Sequence, residues 1–353
     1  MPRFCVKDNK DLKRILVVNV NWLGDVLFST PAFKALKSAY PQSYLAGMVV
    51  PRVKEVLEDN PYIDELIIFD EEGAHKSLFG KISLIRKLRQ RKFDTAFLLH
   101  RSFTRALLVF LAGIPNRIGY YTRKRGFLLT KAVYPDTAEI HRMDYYLKVV
   151  ESAGVKIVDR HYQFFLQDDD RRFIERLLKE KGLAADEPFV VLNPGGNWDL
   201  KRWPPENFRL LAGRLIPETG FKIVISGAAG DIALAKEISG GVAGKATVLV
   251  GETNLKQLGA LFERAKVVVS ADSGPAHLAC AVGAPALILF GPTAKTVTGP
   301  RGKNQCVIIQ KSIAGCRVPC YQLDCPDNRC MRAIGVEEVF EEIKKLNSEK
   351  IVK

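Results

Sequence analysis

No uninterrupted run of about 18 apolar residues occurs in this chain, so no transmembrane helix is expected. The opening MPRFCVKDNKDLKR is charged and lacks the apolar core of a secretory leader, which points to the cytoplasm. No G-x-G-x-x-G follows the first strand-like run, an absence that argues against a dinucleotide oxidoreductase. Seven cysteines are present, and the four that cluster, Cys316-x3-Cys320-x4-Cys325-x4-Cys330, lack the paired C-x2-C spacing of common zinc sites. Reduced thiols in a packed loop, or an adventitious disulfide, are the expectation for them rather than a metal site.

Acidic residues are scarce in one place. Between Lys76 and Lys131 fourteen Lys/Arg meet one acid, Asp94, a local balance of +13, while the rest of the chain is nearly neutral. A concentrated basic field implies an anionic partner: nucleic acid, an anionic membrane surface, or a phosphorylated or carboxylated substrate. Arg86, Lys87, Arg89, Arg91 and Lys92 read as the polar side of one amphipathic helix. The window has no aromatic interleaving along the sequence and no recognisable nucleic-acid module, so nucleic acid is not the expected partner.

What is present is the grammar of α/β domains. At 353 residues, with 47% hydrophobic and 26% charged residues, the chain suits two soluble globular domains. We place them at 1–165 and 186–335, with a C-terminal helix over 336–353 packing back toward the first. Arg14 to Val20 reads as a buried strand, followed by the turn Asn21-Trp22-Leu23-Gly24-Asp25 and a helix from Val26 to Ala39. Asp25 then lies at the carboxyl edge of the first strand, where open α/β sheets carry their chemistry. Further strands are expected at 44–50, 66–69 and 95–99. The stretch 155–188 reads as a connection in which Asp168, Asp169 and Asp170 open a helix.

The second half begins at the strand Phe189-Val-Val-Leu192, which runs into Asn193-Pro-Gly-Gly196-Asn197 and then Lys201. A strand over 222–226 enters a second glycine turn, Gly227-Ala-Ala-Gly230-Asp231. The stretch Lys266 to Thr293 is a complete strand–turn–helix–strand unit. Its turn, Asp272-Ser273-Gly274-Pro275, carries a polar cap and a Pro fitted to the first helical position, with His277 in the first turn. Backbone N–H groups at three such turns imply a phosphate site. Lys201 adds a fixed positive charge, and Asp231 is placed to hold a ribose hydroxyl.

Two Rossmann-like halves facing a cleft suit an enzyme that holds a nucleotide sugar on one half and an acceptor on the other. Lys201 and helix N-termini would stabilise the diphosphate leaving group without a metal, and Asp25 would deprotonate the acceptor hydroxyl. One base on the face opposite the leaving group implies inversion at the anomeric carbon.

These residues also carry a resemblance. ILVVNVNWLGDVLFSTPAFKALKSAYP, LNPGGNWDLKRWPPENFRLLAGRL, LGALFERAKVVVSADSGPAHLACAVGAPALILFGPT and CRVPCYQLDCPDNRCMRAIGVEEV resemble, in order, the motifs of the ADP-heptose:lipopolysaccharide heptosyltransferases. The resemblance implies a GT-B fold and metal-independent, inverting transfer of a heptose from ADP-heptose to the lipopolysaccharide inner core. It carries the catalytic aspartate onto Asp25 and the donor-binding residues onto Gly196, Asn197, Lys201, Asp231, Asp272, Ser273, Gly274 and His277. It places an acceptor-binding arginine at Arg117, and local charge adds Arg101, Arg105 and Arg123. The implied partners are a nucleotide sugar, an anionic lipid-linked acceptor and the cytoplasmic face of the inner membrane; no cofactor is implied. One departure stands out: the family's R-x-x-x-x-G-D has Asn19 at its first place, which bears on sugar or acceptor specificity. The cysteine-rich tail resembles the second-heptose branch. The alternatives are the same reaction with a different nucleotide sugar or acceptor, and a basic nucleic-acid-binding protein.

Overall fold

The strand-like runs pair in the order that right-handed crossovers produce. The computed structural model describes residues 12–135, 138–242, 245–302, 306–320, 322 and 324–348. The chain divides into two units, Met1–Tyr162 and Gln163–Lys353.

The first unit is built from β1 (Arg14–Val18), α1 (Leu23–Ala39), β2 (Tyr44–Val49), β3 (Glu65–Ile68), α2 (Leu78–Gln90), β4 (Thr95–Leu98), α3 (Phe103–Leu111), β5 (Asn116–Tyr120), β6 (Lys131–Val133) and α4 (Arg142–Glu151). Its six strands are all parallel, in the order β3-β2-β1-β4-β5-β6. This is the doubly wound order, with the topological switch point between β1 and β4. The apolar runs of β1 and β4 are buried, as a sheet covered on both faces requires. α1 begins three residues earlier than its sequence pattern indicates, because extended Trp22 ends the turn. Asp25 therefore sits inside the first helical turn, where the helix dipole favours negative charge.

The second unit adds α5 (Asp168–Glu180), β7 (Phe189–Asn193), α6 (Pro205–Thr219), β8 (Lys222–Ile225), α7 (Ile232–Gly240), β9 (Ala246–Val248), α8 (Leu255–Arg264), β10 (Val267–Ala271), α9 (Gly274–Ala281), β11 (Ala286–Phe290), α10 (Lys295–Thr298), β12 (Cys306–Gln310), α11 (Arg329–Arg332) and α12 (Val336–Ser348). Its sheet, β12-β11-β10-β7-β8-β9, repeats the order of the first, with the switch point between β7 and β10.

The stretch read as a connection holds α5, which packs on α8 and belongs to the second unit. Its three aspartates do open a helix, and the Asp170 carboxylate accepts the Gln167 N–H at 2.9 Å. The last helix packs on α6 of its own unit and buries Val339, Phe340, Ile343 and Leu346 in that core. Cysteine pairing also differs from expectation, since Cys280 of α9 and Cys306 of β12 form a disulfide. The four clustered cysteines are free thiols.

Candidate active site

In the second unit the loops leaving β7, β8, β10 and β11 converge at the carboxyl edge of the sheet. Asp272, 3% exposed, is the hub. Its Oδ2 accepts from Lys201 Nζ at 2.7 Å and from Thr293 Oγ1 at 2.6 Å. Its Oδ1 lies 3.8 Å from His277 Nε2, and the imidazole is buried rather than turned to solvent. Trp203, two residues after Lys201, is buried and donates its indole N–H to Ile334 O at 2.9 Å, which anchors the chain there. The Lys201 ammonium faces the Trp198 ring at 5.9 Å.

Glycine is required at position 195, where a Cβ would stand 2.4 Å from Asp231 Oδ2. That carboxylate accepts the Ala228 N–H of its own loop at 2.9 Å, and the β7 loop passes close beside it. At Gly196 a Cβ would come no nearer than 4.0 Å to Ser273, so the β7 and β10 loops lie side by side. Asn197 is exposed at the tip of its loop. The result is a patch of backbone N–H groups at the start of α9 with one ammonium beside it, suited to a diphosphate.

In the first unit Asp25 lies at the equivalent edge. Tyr146 of α4 donates its hydroxyl to Asp25 Oδ1 at 2.8 Å, and Arg142 Nε stands 4.0 Å from the same oxygen. Burial, and then the Asp25 charge, push the Tyr146 phenol well above its ordinary pKa, so it stays a donor at every working pH. His100, which ends β4, has its pKa lowered to about 4, by burial first and by Arg105 and Arg125 second. It is neutral at pH 7, and its Nδ1 accepts the Ser102 N–H at 3.0 Å.

A model of glycosyltransferase family 9 (heptosyltransferase) matches residues 81–323, more than half of the chain. The chain belongs to glycosyltransferase family 9. Lipopolysaccharide heptosyltransferase 2 of Salmonella typhimurium is 28% identical over 308 residues, covering 84% of this chain and 87% of that protein. The crystal structure of a family 9 glycosyl transferase from Veillonella parvula superposes with a TM-score of 0.86 at 26% identity, covering 96% of this chain and 98% of that one. The ADP-heptose LPS heptosyltransferase II of Escherichia coli gives 0.79 at 25% identity, with 96% and 99% covered. The tandem doubly wound units of this glycosyltransferase are the GT-B architecture.

Lys201, Asp272, Ser273, Gly274, His277, Gly196 and Asp231 of the family 9 enzyme gather at one sheet edge. Arg117 does not reach the edge that carries Asp25. It lies near the start of β5, at the opposite end of the sheet, where its guanidinium donates to Leu128 O at 2.6 Å and to the carbonyls of Ile114 and Pro115. Its Nε and Nη1 are engaged in closing a turn there. Arg101 and Arg123 are exposed in the loops that follow β4 and β5, on the Asp25 edge. Arg105 and Arg125 are buried and bonded chiefly to backbone carbonyls.

Sequence reasoning missed Tyr146, Arg142 and Thr293. Only the fold reveals the first two, since 121 residues separate Tyr146 from its partner. Thr293 closes a motif that had been read, FGPT, and no spacing rule marks its hydroxyl. Tyr146→Phe is expected to move the acid limb of the kcat/KM profile up by about one pH unit. The hydroxyl stabilises the ionised carboxylate, so its loss favours the protonated form. A limb that stays in place with unchanged kcat rules out a role for this contact in setting the carboxylate.

Proposed function

We propose that the enzyme transfers a heptose from ADP-heptose to the inner core of lipopolysaccharide, with inversion and without a metal. The observation that carries this reading is the Lys201 ammonium, held 2.7 Å from Asp272 beside the first turn of α9. Asp25, oriented by the Tyr146 hydroxyl, takes the proton of the acceptor hydroxyl. The acceptor oxygen forms its bond to the anomeric carbon as the bond to the ADP oxygen breaks, and the electron pair leaves with the diphosphate. Lys201 and the α9 amides neutralise that developing charge, and Asp231 takes a ribose hydroxyl. Backside displacement inverts the anomeric centre.

Relatives named for lipopolysaccharide and lipooligosaccharide support the acceptor, and a solved neighbour named for ADP-heptose supports the donor. Among the described residues no helix is long and apolar enough to cross a membrane. The reading places the enzyme peripherally, at the cytoplasmic face of the inner membrane.

Calorimetry with ADP, UDP and GDP tests the donor: ADP is expected to bind best, and ADP-heptose better still. Preference for another nucleotide moves the substrate and keeps the reaction class. Transfer is expected to survive EDTA, and a loss restored by Mg²⁺ would overturn the metal-free step.

A further inference from the structure

The fold gathers exposed aromatic and cationic residues of the basic window, with Tyr134 just beyond it, on one edge of the first unit. α2 and α3 pack side by side, and both begin at the carboxyl edge of the sheet. Leu78 and Phe79 open α2, 71% and 84% exposed, and Phe103 opens α3. From the loop after β5, Phe127 (75% exposed) brings its ring centroid to 6.4 Å from that of Phe103. Tyr121 and Tyr134, which follow β5 and β6, stack at 5.2 Å, and both are exposed. Ordinary surfaces scatter such residues singly; four successive loops here present them on one edge.

Cations stand among them. Lys76 and Lys81 flank the start of α2, Arg101 precedes α3, and Arg123 and Lys124 precede Phe127. The one acid of the basic window is absent from this edge. Asp94 precedes β4 at the other end of the sheet, where it accepts the N–H groups of Lys13 and Arg14 at 2.8 Å. Of the three acids in the turn before α2, Asp70 accepts the Gly73 and Ala74 N–H groups and Glu71 accepts from Asn21 and Arg105, which leaves the exposed Glu72 against the five cations.

We propose that this edge, centred on Phe79, Phe127 and their neighbouring cations, is a docking surface for an anionic lipid bilayer. Large apolar side chains set among Lys and Arg are the chemistry of an interfacial anchor: the rings and the leucine enter the headgroup boundary while the cations meet anionic lipids. Two features favour lipid over a nucleic-acid strand. The four rings that pair do so with each other, and an aliphatic residue shares the edge, where base stacking calls for separate open ring faces. Asp25 follows β1 on this same edge, so docking brings the proposed base to the surface in which a lipid-linked acceptor lies. The inference rests on the proposed acceptor for its purpose, not for its observations.

The test is cosedimentation of the full chain with vesicles of phosphatidylcholine alone or mixed with phosphatidylglycerol. Binding is expected only with the anionic lipid and is expected to fall as salt rises. Phe79→Ser with Phe127→Ser is expected to weaken it at least tenfold, given the worth of burying one such ring. The same variant is expected to keep its melting temperature and its transfer to a soluble, deacylated acceptor. A parent enzyme that ignores anionic vesicles, a double variant that binds like the parent, or retention on DNA in place of vesicles would overturn the docking surface. Vesicle binding without transfer to any lipopolysaccharide acceptor would strike the proposed substrate and leave the surface standing.

Discussion

Asp25→Asn is expected to lower kcat by about 10²–10⁴-fold, the usual contribution of a positioned general base. The substitution keeps the shape of the side chain, and its amide oxygen can still accept from Tyr146, so α1 and α4 remain packed. What is lost is the ability to take a proton. ADP affinity, which the proposed function assigns to the second unit, is expected to stay within about twofold of the parent by calorimetry. A variant that turns over at the parental rate would remove Asp25 from the mechanism, whatever the family membership.

The second large effect concerns Lys201. Lys201→Met keeps an apolar stem beside Trp198 and removes the charge, and it is expected to weaken ADP about 10–100-fold, the worth of one charge-assisted contact. Asp272 loses its cation but keeps the Thr293 hydroxyl, so a stability cost of about 1–2 kcal/mol is expected. That figure is discounted from fully buried pairs because Lys201 is 24% exposed. Thermal melting separates this cost from the loss in binding. Unchanged ADP affinity with a lowered melting temperature would assign Lys201 to the fold alone.

The parts of this enzyme that the sequence makes legible are those written in contiguous residues. The strand runs, the glycine turns and the Asp272–His277 turn are local chemistry, and each lies where its pattern places it. α5 is legible as a helix opened by its aspartates, but its flanking charge reads as a connection, and only its packing on α8 shows that it belongs to the second unit. Arg117 misled for a related reason. Its motif is intact, but guanidinium placement depends on which end of β5 it occupies, and a motif has no ends. Tyr146 and Arg142 had no local signal, because their role comes from α4 crossing α1. The Cys280–Cys306 disulfide joins a helix and a strand through tertiary proximity alone.

Asn19 takes on a different meaning once the chain is folded. At the place where the family carries an arginine, this enzyme has a buried asparagine, whose amide donates to Ser29 Oγ at 2.9 Å. Its carbonyl oxygen receives Arg105 Nη1 at 2.6 Å, from the helix that follows β4. Burial lowers the Arg105 pKa and Glu71 works against that fall. A guanidinium thus stands at the carboxyl end of β1 after all, delivered from the neighbouring strand's connection. Position 19 carries no charge of its own, and the fold brings one to it from another element.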